Sequence, residues 1–248
     1  MKKNILVRQP HSILLLIAAI LFSAPILQSC DEEGNLILPL TETEVSNGLK
    51  EALKVGTNNS VTATNQFDGY YGNEDIKIPW PEEASAAYSY IENNMSLIQP
   101  LLDEVVLLMN RGAEEASENA RPIITDAIVS MTISDAWNIL NGEDDAATQY
   151  LIDKTYNSLY EAFLPEIDAA LQSVGATSVW TQVTNAYNPV ATIWPTINPI
   201  ETNLSNYATE KALDGLFVLI AEEELKIRND PQARINNLLE RVFGSLDE

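Results

Sequence analysis

The sequence predicts an all-α protein, a single irregular multi-helix bundle spanning residues 41–248. Three observations carry this. Apolar residues recur at the three-to-four-residue spacing of amphipathic helices in segment after segment. No stretch sustains the alternation of a strand or carries a two-residue hairpin signal. Finally, 248 residues with a hydrophobic fraction of 46% suffice for one sizeable core, and no repeat or linker divides them.

The elements follow in order. Residues 1–29 read as a secretory signal peptide: Lys2, Lys3 and Arg8 form the positive region, Ile13 to Phe22 the apolar region, and Leu27-Gln28-Ser29-Cys30 the cleavage site. The apolar run falls short of the roughly 20 residues a bilayer demands, and Pro25 interrupts it. The tetrapeptide resembles a bacterial lipobox, which implies a multiply acylated Cys30 as first residue of the mature protein and a stable membrane anchor. Residues 30–40 form the lipidated Cys and an acidic tether; roughly ten extended residues reach about 35 Å, which holds the domain close to the membrane. The run Asp31-Glu32-Glu33 resembles the surface-export signal of Bacteroidota lipoproteins, whereas an Asp directly after the Cys signals inner-membrane retention in enterobacteria. The expected location is the bacterial cell envelope, at the outer membrane, periplasmic or surface-exposed.

A first helix is expected from Thr43 to Val55, carried by Val45, Leu49 and Leu53 and stopped by Gly56-Thr57-Asn58-Asn59-Ser60. Asp68-Gly69 marks a turn, and Ile76 to Pro81 is extended around its prolines. Pro81 suits the first turn of a helix through Tyr88 and Ile91, and Pro100 and Pro122 begin two more. Thr132-Ile133-Ser134-Asp135 is a capping-box pattern for a short helix ending at Asn141-Gly142. Glu143-Asp144-Asp145 then reads as a helix start whose carboxylates meet free N–H groups; the alternating ligands and glycine of a calcium loop are missing. The helix it opens is interrupted at Pro165. Trp180, Val183 and Tyr187 mark another, with an irregular stretch from Pro189 to Pro199. The strongest pattern runs from Tyr207 to Gly244, with Pro231 between its two helices and Gly244 after the second.

Composition limits the chemistry. The formal net charge is −22, and no acidic residue precedes Cys30, so the processed chain is more acidic still. Such a charge repels phosphate backbones and argues against nucleic acid as a partner. The only His, His11, leaves with the signal peptide, and the only Cys is Cys30. Without imidazole or free thiol, Ser-His-Asp and Cys-His catalysis and His-ligated zinc are excluded. What remains is chemistry on carboxylates, Lys, Tyr or an oxygen-held metal, and the sequence favours no catalysis and no cofactor.

The charges that coincide with apolar stripes are the candidate polar cluster. Glu223 and Glu224 lie on or beside the stripe of Leu213, Leu216, Phe217, Ile220 and Ile227, and Arg228 stands four residues after Glu224, the favourable order for a helical pair. Arg234 or Arg111 is a second potential partner. Asn110, Arg111 and Glu114 follow an apolar helix face, and Lys211 and Asp214 sit near the start of the long final helix. Two readings stand side by side: a ligand- or cation-binding site or acid/base pair, and an ion network that locks the last helices onto the bundle. The spacing of Ala208, Ala212 and Gly215 implies close approach of another element, with Ala146-Ala147 as the expected counterpart. Tyr70, Tyr71 and Trp80 either line a groove or fold over the bundle.

GLKEAL (48–53), DGYY (68–71), IPWPE (78–82), MNRGAE (109–114), DAWNILNGEDDAATQY (135–150), TEKALDGLF (209–217) and EEELKIRNDPQAR (222–234), ending in VFG (242–244), resemble bacterial domain-of-unknown-function family 4197. The resemblance implies a helical, secreted or lipid-anchored protein and supplies no reaction or catalytic residue; Thr is usual in the family where Asn236 stands. The expected function is a lipid-anchored cell-envelope binding or structural module, attached to the membrane through Cys30 and partnered by an envelope protein or small molecule. The alternative is a carboxylate-based enzyme or cation-dependent binder with its site on the C-terminal helices.

Overall fold

The computed structural model describes residues 39–247 except 195 and 201; the signal peptide, Cys30 and most of the tether lie outside the described residues. Among the described residues there are nine α-helices and no strand: α1 (Glu42–Thr64), α2 (Ser85–Asn94), α3 (Pro100–Ala116), α4 (Ala120–Ser130), α5 (Ile133–Leu140), α6 (Ala146–Ser173), α7 (Ala176–Ile193), α8 (Leu204–Asn229) and α9 (Asn237–Phe243). From Leu40 onward they form one compact unit. The all-α bundle expected from periodicity is the fold.

Helix α8 is its axis, packing on α6 and α1 most extensively and also on α3 and α9. Its buried residues, among them Ala208, Ala212, Leu213, Leu216, Phe217, Ile220 and Ile227, cover more than one face, as a helix surrounded by others requires. Tyr70, Phe163, Leu151, Met109 and Phe243 are fully buried in the shared core. Among the described residues, no single helix is long and apolar enough to cross a membrane.

Start and stop signals act largely as their chemistry dictates. Thr41 caps α1 in a full capping box with Glu44, and Thr132 caps α5 in another with Asp135. Asn236 caps α9 by accepting from the N–H groups of Leu238 and Leu239, a role open equally to Thr.

Three expected helix ends are overridden by packing. Helix α1 runs through Gly56–Ser60 to Thr64, because Gly56, Thr57, Ser60, Val61 and Thr64 continue its buried stripe with small side chains in place of apolar ones. Helix α6 passes through Pro165, with Phe163, Ile167 and Leu171 buried on either side. Helix α7 passes through Pro189 to Ile193, so the irregular stretch begins only at Trp194. An interior proline removes one hydrogen bond and costs roughly 3 kcal/mol; burial of the flanking stripe offsets it.

The counterpart of the small-residue row is also corrected. Gly215 faces Tyr70 and Ile76, where an added Cβ would lie 3.0 Å from each, so the close neighbour is the irregular segment 65–81 and not Ala146-Ala147.

Candidate functional site

The candidate polar residues do not converge on one cluster. Glu224 and Arg228 form the innermost group, one turn apart on α8, and both are buried, at 7% and 4% exposure. Arg228 Nε donates to Glu224 Oε1 at 2.9 Å. The two side chains then reach to different helix ends. Glu224 accepts from the N–H groups of Ala147 at 2.9 Å and Thr148 at 2.8 Å, and from the Thr148 hydroxyl at 2.8 Å. Arg228 donates to the carbonyls of Ile139 at 2.8 Å and Leu140 at 3.2 Å.

Physically, Glu224 puts a negative charge on the N-terminus of α6 and Arg228 a positive charge on the C-terminus of α5, each the sign that the helix dipole favours. They also satisfy backbone groups that have no partner within their own helices. The expectation that Glu143-Asp144-Asp145 caps α6 is therefore corrected: Asp145 stands at the N-cap without a side-chain cap bond, and the carboxylate meeting the free N–H groups comes from α8. A narrow cavity of about 10 Å³ lies beside Glu224, lined otherwise by apolar residues and Gly56. That is room for about one water and no ligand.

Arg234 forms a second group. Its guanidinium donates to the Ile227 carbonyl at 3.0 Å and the Arg228 carbonyl at 2.7 Å, closing the C-terminus of α8, and pairs with Asp247 at 2.7 Å. Asp247 lies beyond Gly244, where the final helical pattern ends, and nothing in periodicity marks it. Hydrogen bonding from Arg234, supplemented by its charge, holds the Asp247 carboxyl below its usual range.

A third group lies on α3. Arg111 bridges Asp68 and Glu114, at 2.7 Å to each, and stacks on the Phe67 ring at 3.8 Å from its centroid. Glu114 accepts from the N–H groups of Tyr70 and Tyr71, both at 3.2 Å. Asn110 meets Ile78 in both directions, accepting its N–H and donating to its carbonyl at 2.8 Å each, and also donates to the Val106 carbonyl. These three residues, from adjacent turns of α3, fasten the irregular segment 65–81 to the bundle. Asp68, at φ 63, holds the left-handed turn that precedes Tyr70. Tyr70 is inserted fully, its hydroxyl donating to the Ala212 carbonyl at 2.7 Å; burial, above all, pushes that hydroxyl up from its ordinary pKa.

The remaining candidates stand apart from these groups, Lys211 and Asp214 at the surface and Glu223 half-buried. Lys211 and Asp214 form an exposed pair at 3.2 Å, while Glu223 takes the Lys226 ammonium at 2.7 Å and an Asn59 amide. Among the described residues, no group of three or more His, Cys, Asp or Glu is arranged to hold a metal ion.

Two open clefts lie at the surface, the second of them along the segment that Asn110 fastens. One of about 680 Å³ is lined by polar residues including Glu83, Asn198, Asn203, Asn206 and Glu210, with Tyr207. Burial, then the charges of Glu83 and Glu82, push the Tyr207 hydroxyl up to about 12. The other, of about 550 Å³, is lined by Tyr71, Trp80 and Tyr88 with Glu74, Lys77 and Asp103. Tyr71 and Trp80 thus line a groove while Tyr70 folds into the core.

Fold and polar groups together define an all-α bundle whose interior charges are bonded to helix ends and to one irregular segment. The profile of the DUF4197 family, described as a protein of unknown function, matches residues 39–244, and the chain belongs to that family. No curated protein and no solved structure matches it.

Proposed function

We propose that the chain is a lipid-anchored cell-envelope protein acting as a binding or structural module rather than a catalyst, held at the membrane through Cys30. The observation that carries the non-catalytic part is the bonding of Glu224 and Arg228. A general acid or base must reach substrate, and both side chains are buried and committed to backbone groups of α5 and α6. The lipobox-like Leu27 to Cys30 and the single His in the leader support the location and the restricted chemistry.

The anchor is tested by Cys30→Ser. The variant is expected in the aqueous phase of a detergent partition, with the parent in the detergent phase; unchanged partitioning would overturn the anchor. A pull-down of the anchored protein from its native envelope tests the module, and recovery of a stoichiometric partner is the expected result.

A further inference from the structure

The aromatic cleft beside α3 carries a charge pattern that the bundle itself does not need. Its walls are the rings of Tyr71, Trp80 and Tyr88, with the carboxylates of Glu74 and Asp103 at the rim. Trp80 is fixed in place: its ring meets Tyr88 at 5.5 Å and Trp180 at 5.3 Å, and its indole N–H donates to the Ala84 carbonyl at 2.9 Å. A rigid ring with its polar handle already engaged offers its π-face to a ligand. The committed indole N–H also removes the donor that a docked proline-rich strand would require.

The cleft already holds one cation, the protein's own. Lys77 Nζ lies 4.4 Å from the Tyr71 ring centroid and 3.6 Å from the Glu74 carboxylate. Glu74 is 85% exposed, so this ion pair is weakly held and an outside ammonium can compete for the same ring and carboxylate. Asp103, exposed on α3, lines the same cleft and is a second carboxylate beside the rings. A net charge of −22 raises the local concentration of cations at such a cleft.

We infer that this cleft binds a primary alkylammonium group, such as a lysine side chain or a polyamine terminus, seated on the Tyr71, Trp80 and Tyr88 rings between Glu74 and Asp103. The inference rests on the reading of the chain as a binding module and names the ligand chemistry of one site. The ring faces supply cation–π attraction, and the carboxylates accept hydrogen bonds from the ammonium N–H groups.

The test is calorimetric titration of the soluble Cys30→Ser protein with 1,5-diaminopentane, and separately with Nα-acetyl-lysine amide, against potassium chloride at equal ionic strength. Saturable binding of both amines is expected, with shifts of the Trp80 indole and Tyr71 ring resonances. Asp103→Asn should weaken binding by about threefold, the loss of one exposed ion pair. Lys77→Ala should strengthen it, because it vacates Tyr71 and Glu74. Asp126→Asn, an exposed change elsewhere on the bundle, should leave the affinity within about twofold. Equal, non-saturating responses to amines and potassium, or equal effects of Asp103→Asn and Asp126→Asn, would overturn the assignment. The pull-down from the envelope is read independently, so failure of this site is distinguishable from failure of the module reading.

Discussion

Glu224–Arg228 and Arg111–Asp68–Glu114 use the same side-chain chemistry at two levels of exposure. In the first, both partners are nearly sealed, at 4% and 6% side-chain exposure, and they join the ends of α5 and α6 to α8. In the second, Arg111 is 20% and Asp68 45% exposed, and the group holds an irregular segment onto α3. The difference teaches where an interior charge is tolerated. Deep burial demands that every polar atom find a backbone or side-chain partner, and Glu224 achieves it with helix ends. At the rim, water shares the work and stacking on Phe67 supplements it.

The comparison is broken most severely from the inside. Glu224→Ala should destabilise the protein by about 3–5 kcal/mol, because it strands a buried guanidinium and two amides. Denaturant midpoints check it. The double variant Glu224→Leu/Arg228→Met should cost clearly less than the two single changes combined.

Asn110→Ala is the next largest. It leaves both backbone groups of Ile78 buried without partners, which should cost about 2–3 kcal/mol. Limited proteolysis should then cut first within segment 65–81. Arg111→Ala should give the same local opening with a smaller loss, about 1–2 kcal/mol, since its partners are partly solvated.

The surface offers the smallest effects. Lys211→Ala should change stability by less than about 0.5 kcal/mol. Glu44 tests the exposed capping box instead. Hydrogen bonds from the Thr41 N–H and hydroxyl, then from Arg241, hold its pKa at about 2. A depressed folded pKa contributes stability above the unfolded carboxylate value near 4.3, and that contribution is lost as pH falls through about 2. The melting temperature should therefore fall less steeply between about pH 4 and pH 2 in Glu44→Gln than in the parent.

The fold was legible because its stripes are apolar and its caps conventional: Thr41, Thr132, Pro100 and Gly244 all mark real boundaries. Helix continuation was not, where packing outweighed propensity at Gly56, Pro165 and Pro189. Within the polar groups, the Glu224–Arg228 spacing was readable, being local to one helix. Its destinations were not, since Ala147 and Thr148 lie far away in sequence and contribute mainly backbone amides, which carry no residue signature, beside the Thr148 hydroxyl. Asp68 was visible only as a turn former, and its pairing with Arg111 depends on segment 65–81 folding back across α3.

The central claim is that Glu224 is a cap supplied to α6 from another helix. Ala147 and Thr148 occupy the first turn, where amides have no acceptor within their own helix and ordinarily exchange rapidly. Native-state hydrogen exchange at these two amides is the direct measurement. The account predicts protection close to that of the core amides in the parent and loss of at least about tenfold in Glu224→Gln. Rapid exchange at both positions in the parent, or protection unchanged in the variant, would contradict it.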